Sequence, residues 1–167
     1  HRWDYDHWAS LGNEGWSYDE ILKYFKKAEH NETFDDQYHG QGGPLNVSKI
    51  RHENKPTKDF VEAGSKLYKY NDDFNGAEQE GIGFYQTTQK DGKRCSTAKA
   101  YLVPALDRPN LTVITEANVN KILIDNQKAS GVEYIDAEGQ SHIISATKEV
   151  LLCSGAFGSP QILLRSG

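Results

Sequence analysis

The chain reads as an α+β protein: helices first, a run of short strands after them, and a strand-to-helix corner at the end. Three observations predict this. Apolar residues recur at helical spacing within 3–11, 18–29 and 57–68. Past Pro109 the sequence becomes β-branched and is cut by short polar links. Finally, the apolar run Glu149-Val-Leu-Leu-Cys-Ser154 breaks at small residues and restarts as Gly155-Ala-Phe-Gly-Ser-Pro-Gln-Ile-Leu-Leu-Arg-Ser-Gly167.

The first helix rests on the spacing of Trp3, Tyr5, Trp8 and Leu11, aromatics best explained by packing. The second, at about 18–29, opens on a capping box, Ser17-Tyr-Asp-Glu20, and carries one stripe of Ile21, Leu22, Tyr24, Phe25 and Ala28. Residues 30–45 are polar and glycine-rich and predict a loop, followed by a short strand at Leu45–Ser48. A third helix spans 57–68, with Phe60, Ala63, Gly64 and Leu67 on one side. Residues 69–80 return to loop, and Gly81–Gln89 predicts a strand. Asp91-Gly92 predicts a turn, and Ser96–Leu106 a helical stretch.

Strands then follow at Leu111–Thr115, Val119–Ile124, Gly131–Asp136 and Ser141–Ala146. The links Asp125-Asn126 and Glu138-Gly139 are short, which favours an antiparallel meander. Val150–Cys153 is continuously apolar and suits a last, parallel strand buried on both faces. At the corner beyond it, Ser159 suits a helix N-cap and Pro160 the first turn, where a missing N–H costs nothing. Bare backbone at such a corner is where α/β proteins place ligands. Tight packing with no ligand is the competing explanation. A soft domain boundary falls across 92–110.

Composition narrows the function. The 167 residues are 37% hydrophobic and 26% charged with a net charge of −5, and no basic cluster carries interleaved aromatics, so a nucleic-acid partner is excluded. No apolar run is long enough to span a bilayer. Cys95 and Cys153 lie far apart without metal-ligand spacing and predict reduced thiols in a cytoplasmic protein; membrane association of the whole enzyme stays open. Asn31-Glu-Thr, Asn46-Val-Ser and Asn110-Leu-Thr are glycosylation sequons, common by chance. The start at His1, the lack of methionine and the stop at Gly167 lead to the expectation of a piece of a longer enzyme.

Several chemistries find no support. There is no Gly-x-Ser-x-Gly elbow for a hydrolase, because proline follows Ser159. His30, His39 and His52 are too irregularly spaced for zinc, and a solvated ring is expected for each. Asp72, Asp73 and Asn75 lack the glycine and distal glutamate of a calcium loop and predict turn caps. The Gly-x-Gly of His39-Gly-Gln-Gly-Gly-Pro44 has neither a preceding strand nor a following helix, so it is not a dinucleotide fingerprint.

The spelling of the corner, Gly-Ala-x-x-Ser-Pro-x-Ile/Leu-Leu-x-x-Ser-Gly, resembles the second signature of the glucose–methanol–choline (GMC) flavoprotein oxidoreductases. The likeness runs nearly end to end. It includes Asp4-Tyr-Asp-His-Trp8, Gly15-Trp-Ser-Tyr-Asp19, Tyr24-Phe-Lys-Lys-Ala-Glu29 and Asn71-Asp-Asp-Phe-Asn-Gly76. Gly81-Ile-Gly-Phe-Tyr-Gln86, Arg94-Cys-Ser-Thr-Ala-Lys-Ala-Tyr-Leu102 and Arg108-Pro-Asn-Leu-Thr112 continue it. It is most similar to the choline dehydrogenase-like branch.

That resemblance implies a division of labour. Residues 1–92 would belong to a substrate-side segment, and 93–167 to part of a FAD-binding α/β domain, comprising the meander and the corner. It implies flavin contacts at Ser154, Gly155 and Ala156, and a backbone contact to adenine at Val119 in Ala117-Asn-Val-Asn120. Packing alone is the competing account of each. The family's pyrophosphate loop, its first signature and its catalytic His with His or Asn do not match any part of this chain, so no catalytic residue is assigned. The implied reaction takes hydride from a primary alcohol to flavin and yields an aldehyde. Phe84 and Tyr85 with Glu78 or Glu80 would suit a quaternary ammonium alcohol only weakly. The alternative function is a non-catalytic interaction module on the same scaffold. The isolated chain is expected to be colourless and inactive, and its Val150–Cys153 strand to pair with a second copy.

Overall fold

The computed structural model describes residues 1–167 as two compact units, His1–Leu111 and Thr112–Gly167.

The first unit opens with α1 (Arg2–Ser10) and α2 (Tyr18–Ala28). Both lie where the aromatic and apolar spacing puts them. The start of α2 is fixed by Glu20, whose carboxylate accepts the Ser17 N–H at 3.2 Å and the Ser17 hydroxyl at 2.5 Å. Arg2 ties the two helices through Asp19, donating to its carboxylate at 2.8 and 3.1 Å. β1 (Glu29–Asn31) follows α2 directly, inside the stretch expected to be loop. It pairs in parallel with β2 (Leu45–Val47), with Glu29 opposite Leu45 and Asn31 opposite Val47. Three residues are too few to show any alternation, so this strand has no sequence signal.

The third helix, α3 (Lys55–Gly64), sits earlier than its expected 57–68. Asn54 is the reason: its side chain accepts the Thr57 N–H at 3.0 Å, and Pro56 fills the first turn. Gly64 and Ser65 end it, so Leu67 and Tyr68 are outside and exposed.

The strand expected at Gly81–Gln89 is not formed. Two isolated bridges replace it, Tyr70 with Ile82 and Ser48 with Thr87, and a regular ladder begins only at β3 (Gln89–Lys90). Its hairpin partner is β4 (Lys93–Arg94). Asp91 and Gly92 make the turn at φ 51° and 72°, the positive pair that a tight hairpin requires. Ser96–Leu106 is helical as expected, though as a π-helical turn at Ala98–Leu102 and a 3₁₀ turn at Val103–Ala105.

The second unit is a meander closed by a helix. β5 (Asn118–Asp125), β6 (Lys128–Ile135) and β7 (Ser141–Ser145) form an antiparallel sheet in that order. Asn126 and Gln127 turn between the first two at φ 49° and 64°. Gly131 opposes Ser145, and a Cβ on it would lie 2.4 Å from the Ile144 carbonyl oxygen, so only glycine fits. α4 (Gly155–Ser166) packs on β5, with Ile122 and Ile162 both buried.

Two expected strands are missing. Leu111–Thr115 and Val150–Cys153 form no ladder with any segment of the chain. Leu151 is 77% exposed rather than buried on two faces. A strand's backbone needs a hydrogen-bonded neighbour, and apolar content cannot supply one.

Candidate functional site

The corner expected to hold a ligand is a corner. Gly155 turns the chain at φ +81°, a conformation open to glycine and strained for other residues. A Cβ placed on Gly155 would meet nothing within 4 Å, so no side chain of this chain plugs the bend. Ser154 and Ala156 are exposed beside it. The helix begins sooner than expected: Ser154, not Ser159, is the N-cap, and Pro160 lies inside α4. Ser159 serves differently, its hydroxyl oxygen accepting the Ser154 N–H at 3.1 Å. Pro160 has no N–H to give the Ala156 carbonyl, which loosens the ladder in the first turns. The first amides of α4 have no partner within the helix and carry the positive end of its dipole. Bare amides, a glycine bend and small exposed side chains fit a flat, anionic dinucleotide.

Val119 lies in β5, half-buried and opposite Tyr134. The register shifts between Val119 and Lys121, leaving Asn120 out of the ladder. Asn120 instead donates to Glu133 at 2.6 Å. β5 also packs against α4, and a hydrogen bond joins them from the Ile122 N–H to the Ser166 hydroxyl at 2.9 Å. It sits at the far end of the helix from Ser154–Ala156.

The first unit holds a second feature, absent from the sequence expectations. A cavity of about 540 Å³ opens between α1, α2, the two short strands and residues 74–79. Tyr5, Phe25, Tyr38 and Phe74 contribute aromatic walls, and Glu29 and His39 the polar end. His39 is not solvated: it is 3% exposed. Burial pushes its pKa down, but hydrogen bonds and charge from Asp73 and Glu29 outweigh that and raise it above 6.5. Glycines let the chain reach this point. A Cβ on Gly40 would stand 1.9 Å from the Lys26 carbonyl oxygen, and one on Gly43 2.4 Å from that of Glu29. That glycine spacing around His39 was the available signal.

Asp36, His39 and Asp73 bring donor atoms within 4.8 Å of one another. Each is already used. Asp36 accepts the Tyr38 and His39 N–H groups at 2.8 and 3.1 Å, and Asp73 accepts from Asn75 and faces His39. An ion pair with turn caps accounts for the group. The substrate-side candidates fare less well. Tyr85 packs against Phe74 with ring centroids 4.7 Å apart, and the Glu78 carboxylate is held by Lys69.

The mixed helices and strands, with an antiparallel meander and an unblocked glycine bend opening its last helix, are the expected α+β class. The chain belongs to the GMC oxidoreductase family, whose N-terminal family model matches residues 1–167. It is 45% identical over 170 residues to an alcohol dehydrogenase [acceptor] of Pseudomonas putida, covering all of this chain and 31% of that protein. It is 47% identical over 171 residues to an oxygen-dependent choline dehydrogenase of Citrobacter koseri, covering 98% and 30%. Among solved structures, a FAD-dependent oxidoreductase from Chaetomium thermophilum superimposes with a TM-score of 0.87 at 28% identity, covering 98% of this chain and 31% of that one. The chain thus spans about 30% of the length of these relatives.

Proposed function

We propose that this chain is the flavin-side corner and adjoining substrate-side segment of a FAD-dependent alcohol oxidoreductase, similar to choline dehydrogenase. A bound FAD would supply the hydride acceptor for oxidation of a small primary alcohol to an aldehyde, the hydroxyl proton being released as well. This chain's own share is binding and orientation. Ser154, Gly155 and Ala156 offer backbone to the flavin, and Val119 offers backbone to the adenine. The hydroxyl proton goes to a group not assigned among these residues.

The observation that carries the reading is the open bend at Gly155 in a chain matched over its whole length by the family. The exposed apolar flank agrees with it: Leu151, Phe157 and Leu164 are 77%, 92% and 85% exposed, as in a segment that packs against more protein. The same flank supports self-association of the chain in isolation. The relatives named as alcohol and choline dehydrogenases support the substrate class.

The test is made on the whole protein. Purified enzyme should show the visible flavin absorption band, and anaerobic addition of a primary alcohol, choline included, should bleach it. Absence of bound flavin overturns the reading. A flavin that no primary alcohol bleaches favours a non-catalytic module instead.

A further inference from the structure

The most constrained side chains of the first unit surround His39. Its Nδ1 lies 3.2 and 3.3 Å from the two carboxylate oxygens of Glu29, and its Nε2 lies 3.1 Å from Asp73 Oδ2. A carboxylate therefore faces each ring nitrogen. Asn31, only 2% exposed, completes the cluster. Its Oδ1 accepts the backbone N–H of Thr33 and of Phe34 at 3.0 and 2.9 Å, which fixes the amide's orientation. Its Nδ2 then faces three acceptors at 3.0 Å: Gln86 Oε1, Glu29 Oε1 and His39 Nδ1.

An amide nitrogen has only two hydrogens to give. Gln86 holds one, because it returns a bond from its own Nε2 to Asn31 Oδ1 at 3.1 Å. The second goes to Glu29 when His39 Nδ1 carries a proton, and to His39 Nδ1 when it does not. With the ring charged, both carboxylates receive charge-assisted bonds. With the ring neutral, a single N–H is left for two carboxylates, so one of them keeps a weaker bond and the other faces a lone pair.

These residues bridge two walls of the cavity. Glu29 and His39 stand on one side, and Asp73 adjoins the stretch Phe74–Ala77 on the other. We propose that Glu29, His39 and Asp73 form a proton-operated latch that fastens the 73–77 wall of this cavity to the 29–40 wall. The latch is tight with His39 charged and slackens as the ring loses its proton.

The remaining charges nearby do not mask it. Asp36 accepts backbone amides, Lys26 of α2 donates to the Asp36 and Gln37 carbonyls at 3.0 and 3.1 Å, and Lys49 lies 5.9 Å from the Phe34 ring and 4.0 Å from Asp72. Phe34 itself shields the imidazole at 5.2 Å. The sign follows from linkage. The raised folded-state pKa means that the latch's stabilisation is complete below the ordinary 6.5 and is lost as pH rises through the folded value.

Hydrogen–deuterium exchange of the whole protein between pH 5.5 and 8.5, corrected for intrinsic rates, tests this. The Gly40 N–H, which donates to Glu29 Oε2 at 2.9 Å, is a direct reporter, and peptides over 36–43 and 72–79 extend it. Their protection should fall as pH rises, by about fivefold if one hydrogen bond's net worth is lost, while peptides over 118–145 hold steady. His39→Gln should remove the pH dependence. Asp73→Asn, which keeps the shape and drops one charge, should shrink the fall and move it to lower pH. Equal wild-type protection at both ends of the range overturns the latch, as does a His39→Gln protein with the wild-type fall. If His39→Gln does not fold, Asp73→Asn decides: an unaltered fall contradicts the proposal, and a reduced one supports it.

Discussion

Ser166 and Ile122 are joined by a single hydrogen bond that ties the end of α4 to the outer edge of β5. The Ser166 hydroxyl accepts the Ile122 N–H at 2.9 Å and donates its own proton to the Ile162 carbonyl at 2.7 Å. Both isoleucines are buried, so the bond sits over the small apolar core of this unit. Ser166→Ala should therefore cost about 1 kcal/mol, the net worth of one such bond. Exchange at the Ile122 amide should quicken about fivefold, while α2 and α3 amides do not change. Hydrogen exchange read residue by residue checks it.

Gly40→Ala is expected to be among the most damaging small substitutions in the first unit. The added carbon would stand 1.9 Å from the Lys26 carbonyl oxygen, a backbone atom held within α2. Overpacking against fixed backbone costs about 3 kcal/mol, and denaturant unfolding measures it. Gly12→Ala, where a Cβ meets nothing within 4 Å, is the control. Its φ of +94° limits the cost to backbone strain of about 1 kcal/mol.

The sequons separate by burial. Asn31 and Asn46 are 2% and 4% exposed, and their amides are bonded to Gln86 and to Glu32. Asn110 is exposed. Protein that folds in a secretory host should carry a glycan at Asn110 alone. Asn110→Gln should abolish the glycosidase-sensitive gel shift, whereas Asn46→Gln should leave it in place.

Acid should loosen the turn between β6 and β7. His142 bonds Asp136 at 2.6 Å, and with backbone N–H groups of Gln140 and Glu138 it holds the Asp136 carboxyl below its ordinary 3.8. A depressed carboxylate stabilises the fold above its unfolded value, and that contribution disappears as pH falls through the folded value. Amide shifts of residues 136–142 should therefore move below pH 3.8, and Asp136→Asn should remove the transition.

What the sequence made legible follows from local physics. α1, α2 and the meander announce themselves through spacing, and the hairpin turns through Asp91-Gly92, Asn126 and Gly139. Leu111–Thr115 and Val150–Cys153 carry strand-like composition without a ladder, because pairing depends on a neighbour that composition does not reveal. β1 escaped through its brevity. At the corner the bend was readable from Gly155, while the helix start was misplaced: Pro160 suggested a first turn that actually lies at Ser154–Gly155. The His39 cluster was hidden because its members are spread from Glu29 to Gln86, and only folding brings them together.

The claim that matters most is that backbone at Ser154–Ala156 lies against the flavin. Ala156 is exposed in this chain, so a larger side chain there meets no residue of its own fold. FAD titration of the whole enzyme carrying Ala156→Phe is the direct measurement. A Kd raised about tenfold or more with unchanged circular dichroism is predicted, equivalent to about 1.4 kcal/mol of lost binding. Stoichiometric FAD held with the wild-type Kd would contradict the account.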